Sequence, residues 1–166
     1  MQEIYERARR VRVAIFDVDG VLTDGTLHYL PSGEEMKAFN VLDGHGIKML
    51  QESGVNPAII SSRSSPSVEE RARNLGIDLV YQGAGDKRAA LDSLLDRCGL
   101  AGDACSFMGD DAADLPVMQR CGFAASVPDA PAQVRWAAHY VTHARGGRGA
   151  VRELCELIIY AQRMQR

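Results

Sequence analysis

Apolar and polar positions along this chain switch between two periods. Short apolar runs at residues 11–16, 58–61, 79–81, 105–108 and 122–125 have strand length. Between them, residues 46–52, 66–75, 86–98 and 115–120 read as helices. Ser65 before Pro66 suits an N-cap followed by proline at the first helical position, and Gly76 and Gly99 suit helix C-caps. Strand–helix alternation predicts an α/β fold, a three-layer Rossmann-like parallel sheet with helices on both faces. Such sheets bind ligands beyond the carboxyl ends of their strands, so the residues just after each strand are where chemistry is expected.

One segment breaks the alternation. Residues 26–30 and 36–41 flank Pro31-Ser32-Gly33, a turn signal, and predict a protruding β-hairpin. A hairpin that leaves the sheet has exposed edges, which pairing with another subunit would cover. The stretch 150–162 carries apolar residues at 151, 154, 155, 158 and 159, the spacing of an amphipathic helix. Before it, Arg145-Gly-Gly-Arg-Gly149 reads as a flexible basic loop. No repeat or linker is visible, so residues 1–166 are expected to form one domain, with no room for a large cap domain.

Composition narrows the function classes. The 166 residues are 46% hydrophobic and 25% charged, as in an ordinary globular domain. A net charge of -3 gives no reason to expect nucleic acid or an anionic membrane as partner. Any anionic substrate must find its cations locally. The four cysteines, Cys98, Cys105, Cys121 and Cys155, lack C-x-x-C spacing and read as free thiols of a reducing compartment. The first ten residues lack an apolar signal-peptide core, and no apolar run approaches the ~20 residues of a membrane span. A cytoplasmic location is expected.

The chemistry gathers at the strand ends. Asp17-Val-Asp19-Gly20 follows the first strand, and residues i and i+2 of an extended segment point the same way. Two converging carboxylates repel unless a cation lies between them or one is protonated. Asp-x-Asp alone is as well explained by a capped, solvated turn. Three later strand ends change that balance. Ser61-Ser62-Arg63 offers a hydroxyl and a guanidinium to phosphate oxygens. Lys87 opens a helix, where its charge opposes the dipole and makes more sense as a charge held for an anion and a neighbouring carboxylate. Gly109-Asp-Asp-Ala-Ala-Asp114 then brings further acids to the same edge. An oxygen-rich cluster of this kind suits Mg²⁺. A metal, a nucleophile and phosphate-neutralising groups would share one pocket.

This order of elements resembles the haloacid dehalogenase superfamily, whose signature motifs correspond to Asp17-Val-Asp19, Ser61, Lys87 and Gly109-Asp-Asp-x-x-Asp114. The likeness extends to the 3-deoxy-D-manno-octulosonate 8-phosphate phosphatase family through residues 39–47, Tyr81-Gln-Gly83, Gly109-Asp-Asp111 with Pro116-Val-Met118, and residues 146–153. It runs from about Val11 to the last residue. Two departures stand out. Ser61-Ser62-Arg63 replaces the common Thr-Gly-Arg, and Lys48 stands where arginine is frequent.

The resemblance implies a capless Mg²⁺-dependent phosphatase acting on a small phosphorylated sugar acid. Asp17 would be the nucleophile and Asp19 the acid and base, with Ser61 and Lys87 stabilising the transferring phosphoryl group. Asp17, Asp110 and the Asp19 backbone carbonyl would hold the metal, with Asp111 and Asp114 orienting its waters or Lys87. Asn40, Val41, Leu42, Asp43, Gly44, Lys48, Arg63 and Arg71 match positions that contact substrate, together with Asp19 and Lys87. His45 lies within that stretch without an assigned role. The family resemblance also implies a homotetramer, in which the 145–149 loop either closes a neighbour's site or is a plain glycine-rich connector. His139 and His143 are expected in surface or core roles, and Trp136 in the core or an interface.

Three rival readings remain at this level. One is a phosphatase for a nonulosonate 9-phosphate such as a sialic acid phosphate. Another is a signalling receiver domain, whose lysine comes last, whereas here Asp110 follows Lys87. The third is a non-catalytic oligomerisation module, against which the intact Asp17 and Asp19 stand.

Overall fold

A computed structural model of the chain describes residues 2–164. Its centre is β1 (Val13–Phe16), four apolar residues buried on both faces, as a strand covered from two sides requires. Around it lie β4 (Asn56–Ile60), β5 (Leu79–Tyr81), β6 (Cys105–Gly109), β7 (Phe123–Ser126) and β8 (Tyr140–Val141). The order β5-β4-β1-β6-β7-β8 is parallel throughout. The chain builds outward from β1 first on one side, through β4 and β5, and then on the other. The strand order therefore reverses at β1, and the crevice beyond its carboxyl end is where an open α/β sheet binds ligand.

The helices are α1 (Gln2–Arg10), α2 (Val41–Glu52), α3 (Pro66–Leu75), α4 (Lys87–Cys98), α5 (Leu115–Met118), α6 (Ala132–Ala137) and α7 (Ala150–Arg163). Ser65 caps α3 through its side chain, and Gly76 and Gly99 end α3 and α4 in the left-handed conformation, as expected. In α7 the predicted positions Val151, Leu154, Cys155, Ile158 and Ile159 are all buried. Among the described residues no helix is long and apolar enough to cross a membrane.

Besides the short α6, which went unread, three elements differ from the sequence reading. The first is α1, which went unread because it presents no apolar stripe. Ala8 is its one buried residue, and it is held by Tyr5 against Tyr160 of α7 and by Arg7 Nη1 donating to the Gly122 carbonyl at 2.9 Å. The second is α2, which begins five residues earlier than expected. Asn40 Oδ1 accepts from the amides of Leu42 at 2.8 Å and Asp43 at 3.2 Å, closing the helix start. Gly44 and Gly46 obscured this start because glycine disfavours helix interiors. Both are there for packing: a side chain at Gly44 would strike the Arg71 guanidinium, and one at Gly46 would meet the Arg152 backbone of α7.

The third is the hairpin. It is present but shorter, with β2 (His28–Tyr29) antiparallel to β3 (Glu35–Met36). It and α2 fill the interval between Asp19 and Ser61, so no separate cap covers the sheet edge.

Candidate active site

Asp17 is the first residue past β1, and its amide still donates to the Met108 carbonyl of β6 at 3.0 Å. The chain then turns tightly through residues 18–22, with Gly20 at φ 81°. Only glycine fits there, since a side chain would run into the Asp110 carboxylate. Thr23 Oγ1 accepts from the amides of Gly20 at 3.3 Å and Gly25 at 3.2 Å and fastens the turn from within.

From outside, the turn is braced by the Arg145–Gly149 loop. The Gly147 amide donates to the Val21 carbonyl at 2.9 Å, and side chains at Gly146 or Gly147 would collide with residues 20–24. This loop was expected to be a flexible connector or a neighbour's lid. Within its own chain it packs on the turn after β1. Glu153 holds its start, accepting from Tyr140 Oη at 2.6 Å and from the Ala144 amide at 2.9 Å. His139 is likewise structural, its Nδ1 accepting from the Ala124 amide at 2.9 Å.

Asp17, Asp110 and Asp114 converge, each offering a carboxylate oxygen within 4.8 Å of the others. Lys87 joins them from the first turn of α4, its Nζ 3.1 Å from Asp17 Oδ1 and 2.7 Å from Asp114 Oδ1. Asp86 caps that helix through the amides of Arg88 and Ala89, which offsets the unfavourable placement of Lys87 toward the dipole. Asp114 is fully buried, and its second oxygen accepts from the amides of Asp110 at 2.9 Å and Asp111 at 3.2 Å. It thus shapes the loop that presents Asp110. Asp111 is exposed and caps the Ala112 amide at 2.7 Å.

The electrostatics are lopsided. Burial, with the Asp114 charge next, pushes the Asp17 carboxyl up to about 6 against the pull of Lys87. Burial together with Asp17, Asp114 and Asp111 raises Asp110 to about 7. Lys87 feels burial most, but the Asp17 and Asp114 charges outweigh it and hold the ammonium above its ordinary value. Three clustered carboxylates against one ammonium leave excess negative charge in a donor set made only of oxygens. Those residues fit a hard divalent cation such as Mg²⁺.

A pH dependence follows. Asp17 and Asp110 titrate higher in the folded chain than when unfolded, so without a cation their ionisation costs stability. That cost is absent below about pH 4 and complete above about pH 7. A bound cation competes with the same protons. The rise in melting temperature produced by saturating Mg²⁺ is therefore expected to grow between about pH 5 and pH 8. Thermal melts with Mg²⁺ or EDTA measure it, and a shift independent of pH would place the cation elsewhere.

Asp17, Asp19, Ser61, Arg63, Lys87 and Asp110 line one pocket of about 250 Å³. Ser61 is buried there, its Oγ accepting from the Arg63 amide at 3.3 Å. Among the described residues no non-glycine has positive φ, so Ser62 fits this turn without the glycine common in the family. The Asp19 side chain stands outside the three-carboxylate cluster and is turned to the hairpin, where Lys37 Nζ lies 2.6 Å from Oδ1. Lys37 also reaches Glu35 at 2.6 Å, and Glu35 pairs with Arg63. Sequence reasoning missed Lys37 and Glu35. The available signal was their i, i+2 spacing, which aims both charges to one face of an extended strand.

Of the remaining expected substrate contacts, several have other partners. Asn40 caps α2 with its side chain and accepts from Arg71 Nη2 at 3.1 Å with its carbonyl. Arg71 lies over the Phe39 ring and covers Gly44. Asp43 is buried and accepts from the amides of Gly149 at 3.3 Å and Arg152 at 2.9 Å, capping α7. Lys48 is exposed along α2, near Gly76 at the far end of α3. Val41 and Leu42 are 81% and 60% exposed. None of these residues lines the pocket within one chain, because helix capping and the direction of α2 carry their side chains elsewhere.

Comparison with known proteins agrees with this geometry. Residues 77–154 match the haloacid dehalogenase-like hydrolase family. A 3-deoxy-D-manno-octulosonate 8-phosphate phosphatase of Yersinia pestis is 45% identical over 160 residues, covering 96% of this chain and 86% of its own. The crystal structure of the Moraxella catarrhalis enzyme of that name, in complex with magnesium ion, phosphate ion and KDO, is 45% identical. It superposes with a TM-score of 0.96 over 98% of this chain and 94% of its own. The cobalt-bound form of the Haemophilus influenzae phosphatase is 41% identical, with a TM-score of 0.91 over 94% of this chain and 91% of that one. By sequence and by fold, the chain belongs to the 3-deoxy-D-manno-octulosonate 8-phosphate phosphatase family of haloacid dehalogenase-like hydrolases.

Proposed function

We propose that the chain, as one domain, hydrolyses 3-deoxy-D-manno-octulosonate 8-phosphate to the free sugar acid and phosphate, a step toward a lipopolysaccharide precursor. The observation that supports it most directly is the buried Asp17 at the end of β1, 3.1 Å from Lys87 and clustered with Asp110 and Asp114.

In the first step Asp17 attacks phosphorus and the bond to the sugar oxygen breaks, leaving an aspartyl phosphate. Asp19 gives its proton to the departing alcohol and then takes one from the water that hydrolyses the acyl phosphate, freeing Asp17. Mg²⁺, held by the Asp17 and Asp110 carboxylates and the Asp19 backbone carbonyl, supplies positive charge against the phosphoryl oxygens. Ser61 donates from its hydroxyl and Lys87 from its ammonium to the same oxygens. Asp114 keeps Lys87 in place, and Asp111 shapes the loop around Asp110. Arg63, at the pocket's lip, is the cation suited to the substrate's carboxylate.

Asn40, Val41, Leu42, Asp43, Gly44, Lys48 and Arg71 would then serve substrate only across a subunit boundary. A homotetramer fits that requirement. Leu27, Tyr29, Leu30 and Met36 of the hairpin are exposed, as are Val41 and Leu42. A monomeric mass in solution would remove this part of the proposal. A cytoplasmic site of action is supported by four unpaired cysteines, and cell fractionation tests it.

The decisive experiment is phosphate release across a panel of sugar-acid phosphates. The octulosonate 8-phosphate is expected to give the highest kcat/KM. Preference for a nonulosonate 9-phosphate would transfer the assignment to that substrate, and no release from any of them would end it.

A further inference from the structure

Lys37 lies one residue past β3 in the hairpin, yet its side chain is only 3% exposed. A lysine in a short protruding hairpin ordinarily leaves its ammonium in water. Here Nζ donates to Asp19 Oδ1 and to Glu35 Oε1, each at 2.6 Å. The other Asp19 oxygen lies 3.8 Å from Arg63 Nε, and the Arg63 guanidinium pairs with Glu35. Two carboxyl groups and two basic side chains from three chain segments thus close a ring: the turn after β1, the hairpin, and the loop after β4.

We propose that Lys37 is a positioning residue for Asp19, holding Oδ1 so that Oδ2 is the oxygen presented to the reacting ester, with Glu35 steadying both Lys37 and Arg63. The hairpin is then part of the catalytic apparatus of its own chain as well as a surface element. The inference rests on the phosphatase reading above. Its physical basis is that proton transfer to a leaving alcohol requires hydrogen-bond reach, and that a misplacement of about 1 Å costs on the order of 10²-fold in rate.

The test compares kcat/KM for two esters in the wild-type chain and in Lys37→Met. One ester is the phosphorylated sugar acid, whose alcohol needs a proton to leave. The other is p-nitrophenyl phosphate, whose phenolate leaves without one. This parameter covers the steps up to departure of the alcohol and is blind to later hydrolysis of the phospho-enzyme. The sugar-to-aryl ratio is expected to fall on the order of 10²-fold in Lys37→Met. Adding Lys37→Met to Asp19→Asn should change the ratio no further, since the effect passes through Asp19.

Equal losses on both esters would show that Lys37 serves only the fold or phosphate binding, and an unaltered kcat/KM on both would show that it is idle. Either overturns the inference while leaving the phosphatase reading intact. If Lys37→Met lacks a cooperative melt, Glu35→Gln takes its place. It should lower the ratio in the same direction, and a flat ratio there is equally fatal. A wild-type chain inert toward both esters overturns the phosphatase reading and this inference together.

Discussion

Asp17→Asn is expected to lose at least about 10⁴-fold in kcat, because an amide cannot form the acyl phosphate on which both half-reactions depend. It is not expected to lose stability in the absence of metal. The carboxyl of Asp17 is raised to about 6 by burial and by Asp114, so its ionised form is a strained guest in the folded chain at neutral pH. That penalty applies above the folded value and vanishes below the unfolded one, about pH 4. A neutral amide removes it, and Lys87 retains its 2.7 Å contact with Asp114. In EDTA at about pH 8 the variant should melt at or above the wild-type temperature, with the difference closing toward about pH 4. Its stabilisation by Mg²⁺ should shrink, since one carboxylate ligand is gone. Steady-state phosphate release and paired melts measure all three effects. Residual turnover near the wild-type rate would remove Asp17 as nucleophile.

Lys87→Met should behave in the opposite way, losing both activity and stability. Lys87 is 7% exposed and stands between Asp17 and Asp114, so removing it leaves two buried carboxylates facing each other. Breaking one partner out of a buried ion pair costs about 3–5 kcal/mol, because the charge left behind has no compensation. In the proposed reaction the ammonium also supports charge on the phosphoryl oxygens, and losing one such donor costs about 10²–10³-fold in kcat. Excess Mg²⁺ should recover part of the stability but little of the rate, since a cation at the cluster cannot take the ammonium's place beside the phosphate. A variant as stable as wild type in EDTA would mean that Asp17 and Asp114 are relaxed by something other than Lys87.

The contrast between these variants shows how far the motifs could be read in advance. The acids at 17, 19, 110 and 114 and the lysine at 87 were legible because each follows a strand whose apolar run is plain. Once the strands are parallel, the residues after them must meet at one edge. Strands β1, β4, β5, β6 and β7 were found to within two residues at each end. The early start of α2 was hidden by glycines whose purpose is close packing on Arg71 and α7. The polar α1 was hidden because it adds a single buried side chain to the core.

The sequence by itself determined the α/β alternation and the gathering of Asp17, Asp19 and Lys87 at the carboxyl edge. Those follow from local periodicity and from the rule that parallel strands bring their ends together. Only the tertiary structure decided what each neighbouring side chain does with its hydrogen bonds. It turned Asp43 into a cap for α7, set the 145–149 loop as a brace on its own turn, and put Lys37 against Asp19. The physical reason is that such bonds join residues far apart in the chain, Asp43 and Arg152 being 109 positions apart. Their partners are chosen by how helices and loops pack, which no local pattern of polar and apolar positions records.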